Sequence, residues 1–266
     1  MNLFTDELFK TAENNGSARF EEKFVVPKDK ISHLHRWVLS SPMKFSSPYP
    51  NRRITSLYLD TWAYRCYFDN LDGTSVRAKY RVRCYGTDEA RKAVLEVKLR
   101  RAQTGYKLRY PITDPALVQR IIYGTVGEAR ARDGWIIKVS ELPIVPQPLA
   151  LALRSLFPAA ETAYNREYYV SMDKQVRLTI DTDIQYRRAG SMAGNFLNDP
   201  LIICEIKTNV DSDRTSRFPV RSLPFKVSRN SKYCCAVSFV CKHLVPGELW
   251  QPYIRTDTRK SESIFN

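Results

Sequence analysis

The sequence is short of histidine and glycine, and it has no long apolar run. Three histidines in 266 residues leave little for a histidine metal centre or a Ser-His-Asp triad. His33 and His35 stand two apart on a helical stretch, so they do not share a face. The ten glycines form neither G-x-G-x-x-G nor G-x-x-x-x-G-K-S/T, which excludes the common glycine-rich phosphate cradles. No stretch reaches the ~20 apolar residues of a membrane helix. The first fifteen residues are polar and acidic and lack a signal-peptide core. Six cysteines contain no C-x-x-C pair. Reduced, packed thiols in a soluble, cytoplasmic chain are the expectation.

Acid is scarce too. Asp plus Glu total 28 against 42 Lys plus Arg, a formal charge of +14. Such an excess points to a polyanionic partner: nucleic acid, an acidic membrane surface or phosphorylated metabolites. The 43% hydrophobic content excludes a disordered chain.

What the sequence has in quantity is alternation. Apolar and charged residues alternate in Arg19–Val25, Lys79–Tyr85, Val94–Arg100, Tyr106–Tyr110, Ala163–Tyr169, Val176–Asp181 and Leu201–Lys207, with a less regular eighth run at Arg53–Asp60. That pattern predicts antiparallel strands. Helices are expected at Pro27–Leu39, from Asp114-Pro115 to Tyr123, at Pro148–Phe157 and from Ser231 to Lys242. The stretch from Gly127 to Pro148 reads as strand or helix. Residues 1–17 are expected to be a flexible leader, 18–250 one domain and 251–266 a flexible tail. The fold class is α+β: an antiparallel barrel with a few covering helices.

Successive strand residues face opposite ways, so the polar members of each run share a face. Across the seven regular runs these are twelve cations (Arg19, Lys23, Lys79, Arg81, Arg83, Lys98, Arg100, Lys107, Arg109, Arg166, Arg177, Lys207) and four acids (Glu21, Glu96, Asp181, Glu205). A solvated sheet face explains one such strand. For seven, cross-strand repulsion favours a polyanion held in a basic tunnel or groove. Both readings stay open on pattern alone. Glu205, in the apolar run IICEIK, is either an ion-pair partner or a ligand for Mg²⁺ or Mn²⁺, which prefer oxygen donors.

Nine motifs occur in order: RFEEKF from Arg19, SLYLDT from Ser56, KYRVRCYG from Lys79, LEVKLR from Leu95, GYKLRY from Gly105, AYNREYY from Ala163, VRLTID from Val176, ICEIK from Ile203 and SRNSKYC from Ser228. Together they resemble the catalytic domain of the vacuolar transporter chaperone (VTC) family, within the triphosphate tunnel metalloenzyme or CYTH-like superfamily. The resemblance implies a barrel forming a basic tunnel. It implies polyphosphate synthesis from ATP with Mn²⁺ or Mg²⁺. By motif, Lys23, Arg81, Arg83, Lys98, Arg166 and Arg177 would carry catalysis. Lys107, Tyr164, Arg229, Ser231 and Lys232 would bind substrate phosphate, and Glu205 would hold metal. A helix N-terminus suits the Ser231-Lys232 pair as an anion site.

The first strand departs from the superfamily's E-x-E-x-K, having Arg19 in place of the first glutamate. This favours the VTC branch over the hydrolytic members. The regulatory domain and membrane segments of full eukaryotic VTC subunits are not found in this sequence, so regulation and coupled transport are not implied. ATP and inorganic polyphosphate are the expected partners. Nucleic acid is not expected, and a membrane partner is compatible. The competing readings are a metal-dependent tri- or polyphosphatase of the same fold and a non-catalytic binder of polyphosphate or nucleic acid.

Overall fold

The computed structural model describes residues 3–13, 19–86, 92–102, 104–123, 131–189, 196–209, 223–240 and 255–256. The strands are β1 (Arg19–Pro27), β2 (Arg52–Asp60), β3 (Val76–Tyr85), β4 (Lys92–Arg101), β5 (Thr104–Ile112), β6 (Phe157–Val170), β7 (Val176–Arg188), β8 (Leu197–Asn198), β9 (Leu201–Asn209), β10 (Ser228–Arg229) and β11 (Arg255–Thr256). The helices are α1 (Leu3–Glu13), α2 (Ile31–Ser40), α3 (Arg65–Leu71), α4 (Pro115–Tyr123), α5 (Ala131–Ser140), α6 (Gln147–Arg154) and α7 (Lys232–Val240).

One antiparallel sheet runs β1-β9-β7-β6-β2-β3-β4-β5, with β8 added against β7. Its edge strands β1 and β5 are not paired with each other among the described residues, so the sheet is a curled half-barrel. The curl lets neighbouring Asn230 and Ser231 meet Lys23 of β1 and Lys79 of β3. Flat, β1 and β4 would lie about 29 Å apart at the usual strand spacing. Instead Lys98 on β4 feels the carboxylates of Glu21 on β1 and Glu205 on β9.

Alternation explains both faces. Leu95, Val97 and Leu99 of β4 point outward into the larger core, with Tyr80, Val82 and Cys84 of β3 and Leu108 and Tyr110 of β5. Helices α1, α5 and α6 cover them through Phe9, Trp135, Leu149 and Leu153. On the other half, Phe24, Val26, Leu178, Ile180, Cys204 and Ile206 pack beneath Leu34 and Val38 of α2. The charged residues between these positions are left on the concave side.

Several expectations shift. Residues Leu3–Glu13 form a helix whose Leu8, Phe9 and Ala12 are buried, where a loose leader is the sequence expectation. Its short apolar stripe needs the convex sheet face to become legible. The ambiguous WIIKV stretch is helical, with Trp135, Ile136 and Val139 buried. Proline and the residues after it start α2 later, through a 3₁₀ turn at Lys28–Lys30. The Asp114 carboxylate accepts the amide of Ala116 at 2.9 Å, as its capping position predicts. Strands β6 and β7 run longer than their alternation suggests, because a bulge near Ala163 to Asn165 changes the phase. Helix α3 and the short β8 have no counterpart in the sequence reading. Of the expected tail, only Arg255 and Thr256 are described, paired with Arg229 and Ser228; the rest lies outside the described residues, as do Lys242 and Arg19's side chain.

Candidate active site

Cross-strand register sorts the concave charges into three clusters. Arg81, Glu96 and Arg109 lie directly opposite one another on β3, β4 and β5. Glu96 is fully buried and carries four cations. Arg81 reaches one of its oxygens with two nitrogens, at 2.8 and 2.5 Å. Lys107 sits 2.5 Å, Arg109 3.4 Å and Arg83 3.7 Å from the carboxylate. Burial alone would raise the Glu96 pKa, but Arg81, Arg83 and Lys107 hold it well below the usual carboxylate range.

The second cluster joins Arg166 of β6 to Asp181 of β7, register partners. The guanidinium grips both carboxylate oxygens, at 2.5 and 2.7 Å. Lys232, the first residue of α7, adds its ammonium at 2.6 Å. Tyr164 lies below, with Arg166 and Lys232 over its ring and its hydroxyl accepting from Arg83 at 2.9 Å. Burial pushes the phenol up, yet Arg166, Arg83 and Lys232 outweigh it and lower its pKa.

The third cluster spans β1 and β9, where Lys23 opposes Glu205 and Glu21 opposes Lys207. Lys23 pairs with Glu21 at 3.1 Å and donates to the Asn230 carbonyl at 2.9 Å. The Lys207 ammonium contacts Glu205 and lies 3.9 Å from Glu21. Burial and Glu205 push Glu21 up, but Lys98, Lys23 and Lys207 bring it down to about 2. Burial likewise raises Glu205, and Lys207, Lys23 and Lys98 hold it well below the ordinary range.

Between the clusters runs a row of lysines. Lys79, Lys98 and Lys107 are register partners on three adjacent strands. Lys79 donates to Ser231 Oγ at 3.0 Å, and Lys107 holds Glu96. Lys98, half-buried, has no hydrogen bond or ion pair among the described residues. Burial first, then Arg81 and Lys23, push its pKa well below that of free lysine, with Glu21 and Glu205 offsetting only part. Burial also lowers Lys79 and Lys107, each to about 8. Burial thus weighs against the charged form of all three, and of the three only Lys107 has a carboxylate in contact.

Helix α7 closes on this surface. Ser231 caps it, its Oγ accepting from the Cys234 amide at 3.4 Å. The helix is latched from behind by Asp60. That buried carboxylate accepts the amides of Thr61, Cys66 and Tyr67 at 2.7, 2.9 and 3.0 Å, and also the Tyr233 hydroxyl. The Tyr58 and Tyr233 rings stack, with centroids 5.0 Å apart.

The structure thus brings together Lys23, Arg81, Arg83, Lys98, Lys107, Tyr164, Arg166, Glu205, Ser231 and Lys232. Arg177 is on the concave face but exposed, opposite Lys207 and with no partner among the described residues. Arg229 is exposed on the two-residue strand β10, away from the clusters' contacts. Tyr58, Asn230 and Asp60 join the site without sequence warning. The alternation of Ser56 and Tyr58 was the available signal, and it lies in the least regular of the eight runs.

As for a metal, no three His, Cys, Asp or Glu side chains gather among the described residues. Glu21 and Glu205 nonetheless converge on one cation, the Lys207 ammonium. Two carboxylates plus substrate phosphates are a sufficient donor set for Mg²⁺ or Mn²⁺, so these residues fit such an ion.

A curled antiparallel sheet with a cation-lined concave face defines a tunnel-fold protein. The chain belongs to the VTC domain family, whose model matches residues 18–241. Among solved structures it is similar to a putative adenylyl cyclase from Hippeastrum described as having a dominant triphosphatase activity. There the TM-score is 0.51 at 16% identity, over 84% of this chain and 96% of that one. More distant similarity is found to a putative adenylate cyclase from Bacillus halodurans (TM-score 0.45, 13% identity, 81% of this chain and 95% of that chain). It extends to the Mimivirus capping enzyme triphosphatase (TM-score 0.34, 10% identity, 82% and 93%). No curated protein matches the chain. No helix among the described residues is long and apolar enough to cross a membrane.

Proposed function

We propose that this protein is a metal-dependent polyphosphate polymerase that transfers the γ-phosphoryl group of ATP to a growing inorganic polyphosphate chain. The observation that carries this reading is the Lys79–Lys98–Lys107 row, three cations directly opposite one another on adjacent strands of the concave face, with Lys98 lacking an ion pair among the described residues. Arg83, Arg166 and Lys98 bind phosphate oxygens from three sides, and Ser231 and Lys232 bind from the start of α7. Arginine suits forked contacts, and lysine supplies point charge. Arg81 is oriented by Glu96, and Arg166 by Asp181, so both reach substrate already aligned. Arg177 and Arg229 lie outside these contacts, and we assign them accessory phosphate binding at the rim.

All four concave carboxylates are held anionic and acid-shifted by cations. None is a good proton acceptor near neutral pH. A terminal phosphate of polyphosphate is already anionic and needs no base, whereas water does. This favours the chain end over water as the nucleophile. Catalysis then rests on alignment and on charge stabilisation. Glu205, with Glu21, would hold Mn²⁺ or Mg²⁺, which when bound neutralises charge on the transferred phosphoryl group. The five described cysteines are all free and buried, which supports a cytoplasmic setting.

Hydrolysis is the second reading. The pair of converging carboxylates Glu21 and Glu205 favours it, since a metal there also orients water. Incubation with γ-labelled ATP and Mn²⁺, beside a Lys23→Ala control, separates the two. Label in long chains with ADP released, absent from the control, is expected. Label only as free phosphate would assign a hydrolase. Salt-sensitive binding of polyphosphate without turnover would assign a binding module.

A further inference from the structure

Strand directions give the concave face two ends. Asp60, which closes β2, lies at the α7 end. Arg52, which opens β2, Tyr85, which closes β3, and the last residues of β6 lie at the other. At this far end aromatics are added beside the Arg166–Asp181 pair. Tyr49 is 54% exposed on the loop before β2 and meets Tyr168 edge-to-face, with ring centroids 5.7 Å apart. The Arg52 guanidinium lies over both rings, 5.2 Å from the first and 5.9 Å from the second. Tyr168 faces the concave side with Arg166, since its register partner is Thr179, beside Glu205.

Arg52 differs from the arginines deeper in. Arg81 and Arg166 each hold a carboxylate, whereas Arg52 has none among the described residues. It also lies directly opposite Arg166 in register. Asp181 already neutralises Arg166, which leaves Arg52 as the arginine of this pair without a carboxylate. A phosphate on Arg52 and a flat ring on the tyrosines satisfy both features. Aromatic faces and arginine planes stack on any nucleobase.

We infer that Tyr49, Arg52 and Tyr168 form a stacking subsite for the base of a nucleoside triphosphate, whose phosphates extend inward past Arg166 and Arg83 toward Lys98. This rests on the polyanion reading of the tunnel and adds the nucleoside end of the substrate. Tyr49 supplies the open ring face, and Arg52 bridges base and first phosphate. Stacking alone predicts tolerance toward different bases.

The test compares ATP with inorganic tripolyphosphate, which has the phosphates but no base, by calorimetry on the full chain with Mg²⁺. Tyr49→Ala should weaken ATP about fivefold or more, from the usual worth of one base stack. It should leave tripolyphosphate unchanged, and Tyr49→Trp should restore ATP binding. Equal weakening of both ligands, or no change for ATP, overturns the subsite. Lys98→Ala should weaken both ligands and so reports on the tunnel itself. A wild-type protein that binds tripolyphosphate but not ATP sinks the base subsite and spares the tunnel. One that binds neither sinks both.

Discussion

Two groups of lysines and arginines share the concave face and behave in opposite ways. Around Glu96, four cations converge on one buried carboxylate, and Arg81 gains from the arrangement: burial opposes its charge, but Tyr58 and Glu96 raise its pKa well above the usual value. One same-face position along β3 and β4, Lys79 and Lys98 stand side by side without a carboxylate in contact, and both lose. The first group is a finished piece of structure. The second is held in an unfavourable state by the sheet that carries it. The difference separates cations that already hold a carboxylate from cations that hold none, although both are basic and both alternate with apolar neighbours.

Breaking the finished group should have the largest effect. Glu96→Gln strands buried Arg81 without its counter-charge and is expected to lose about 3–5 kcal/mol of stability, read by denaturant unfolding. Removing a cation that holds none should do the reverse. Lys98→Met deletes a disfavoured ammonium, so unfolding free energy should hold steady or rise. Phosphoryl transfer should fall about 100-fold, the usual loss for one preorganised charge donor. A Lys98→Met protein that is both less stable and fully active would erase the distinction.

The smallest effect is in pH. Lys79 and Lys107 titrate near 8 in the free protein, below the unfolded lysine value of 10.5. From about pH 8 to 10.5 the unfolded chain therefore binds more protons, so ligand-free stability rises with pH across that window. Binding of a polyanion works the other way, because the neutral lysines must take up protons to meet it. Tripolyphosphate affinity should decline above pH 8. Calorimetry at pH 8.5 in buffers of different ionisation enthalpy should register proton uptake. No uptake would mean that the row does not touch the ligand.

Much of this site was written into the strands. Alternation alone selects the face, because a side chain two positions along must return to the same side. Lys23, Arg81, Arg83, Lys98, Lys107 and Glu205 were all legible in that way. What alternation cannot supply is which residue lies across the sheet. Asp181 as the partner of Lys232, or Glu96 as the centre of four cations, depends on register and curl set by contacts far apart in the chain. The bulge after Ala163 hid the true length of β6, and α1 was unreadable because its three buried residues make sense only against a sheet that forms later in the sequence.

That last helix bears on where the chain is cut. The family match begins at residue 18, after α1 has ended. Yet Phe9 packs edge-on against Tyr106 of β5, with centroids 6.0 Å apart, and Arg101 lies over its other side at 4.3 Å. Leu8 and Phe9 each contribute roughly 1.5–3 kcal/mol of burial. They do so beside β5, the terminal strand of the sheet, whose outer backbone is a ready template for pairing with another chain. A recombinant fragment trimmed to the family boundary would lack this cover, so the practical unit for expression includes α1.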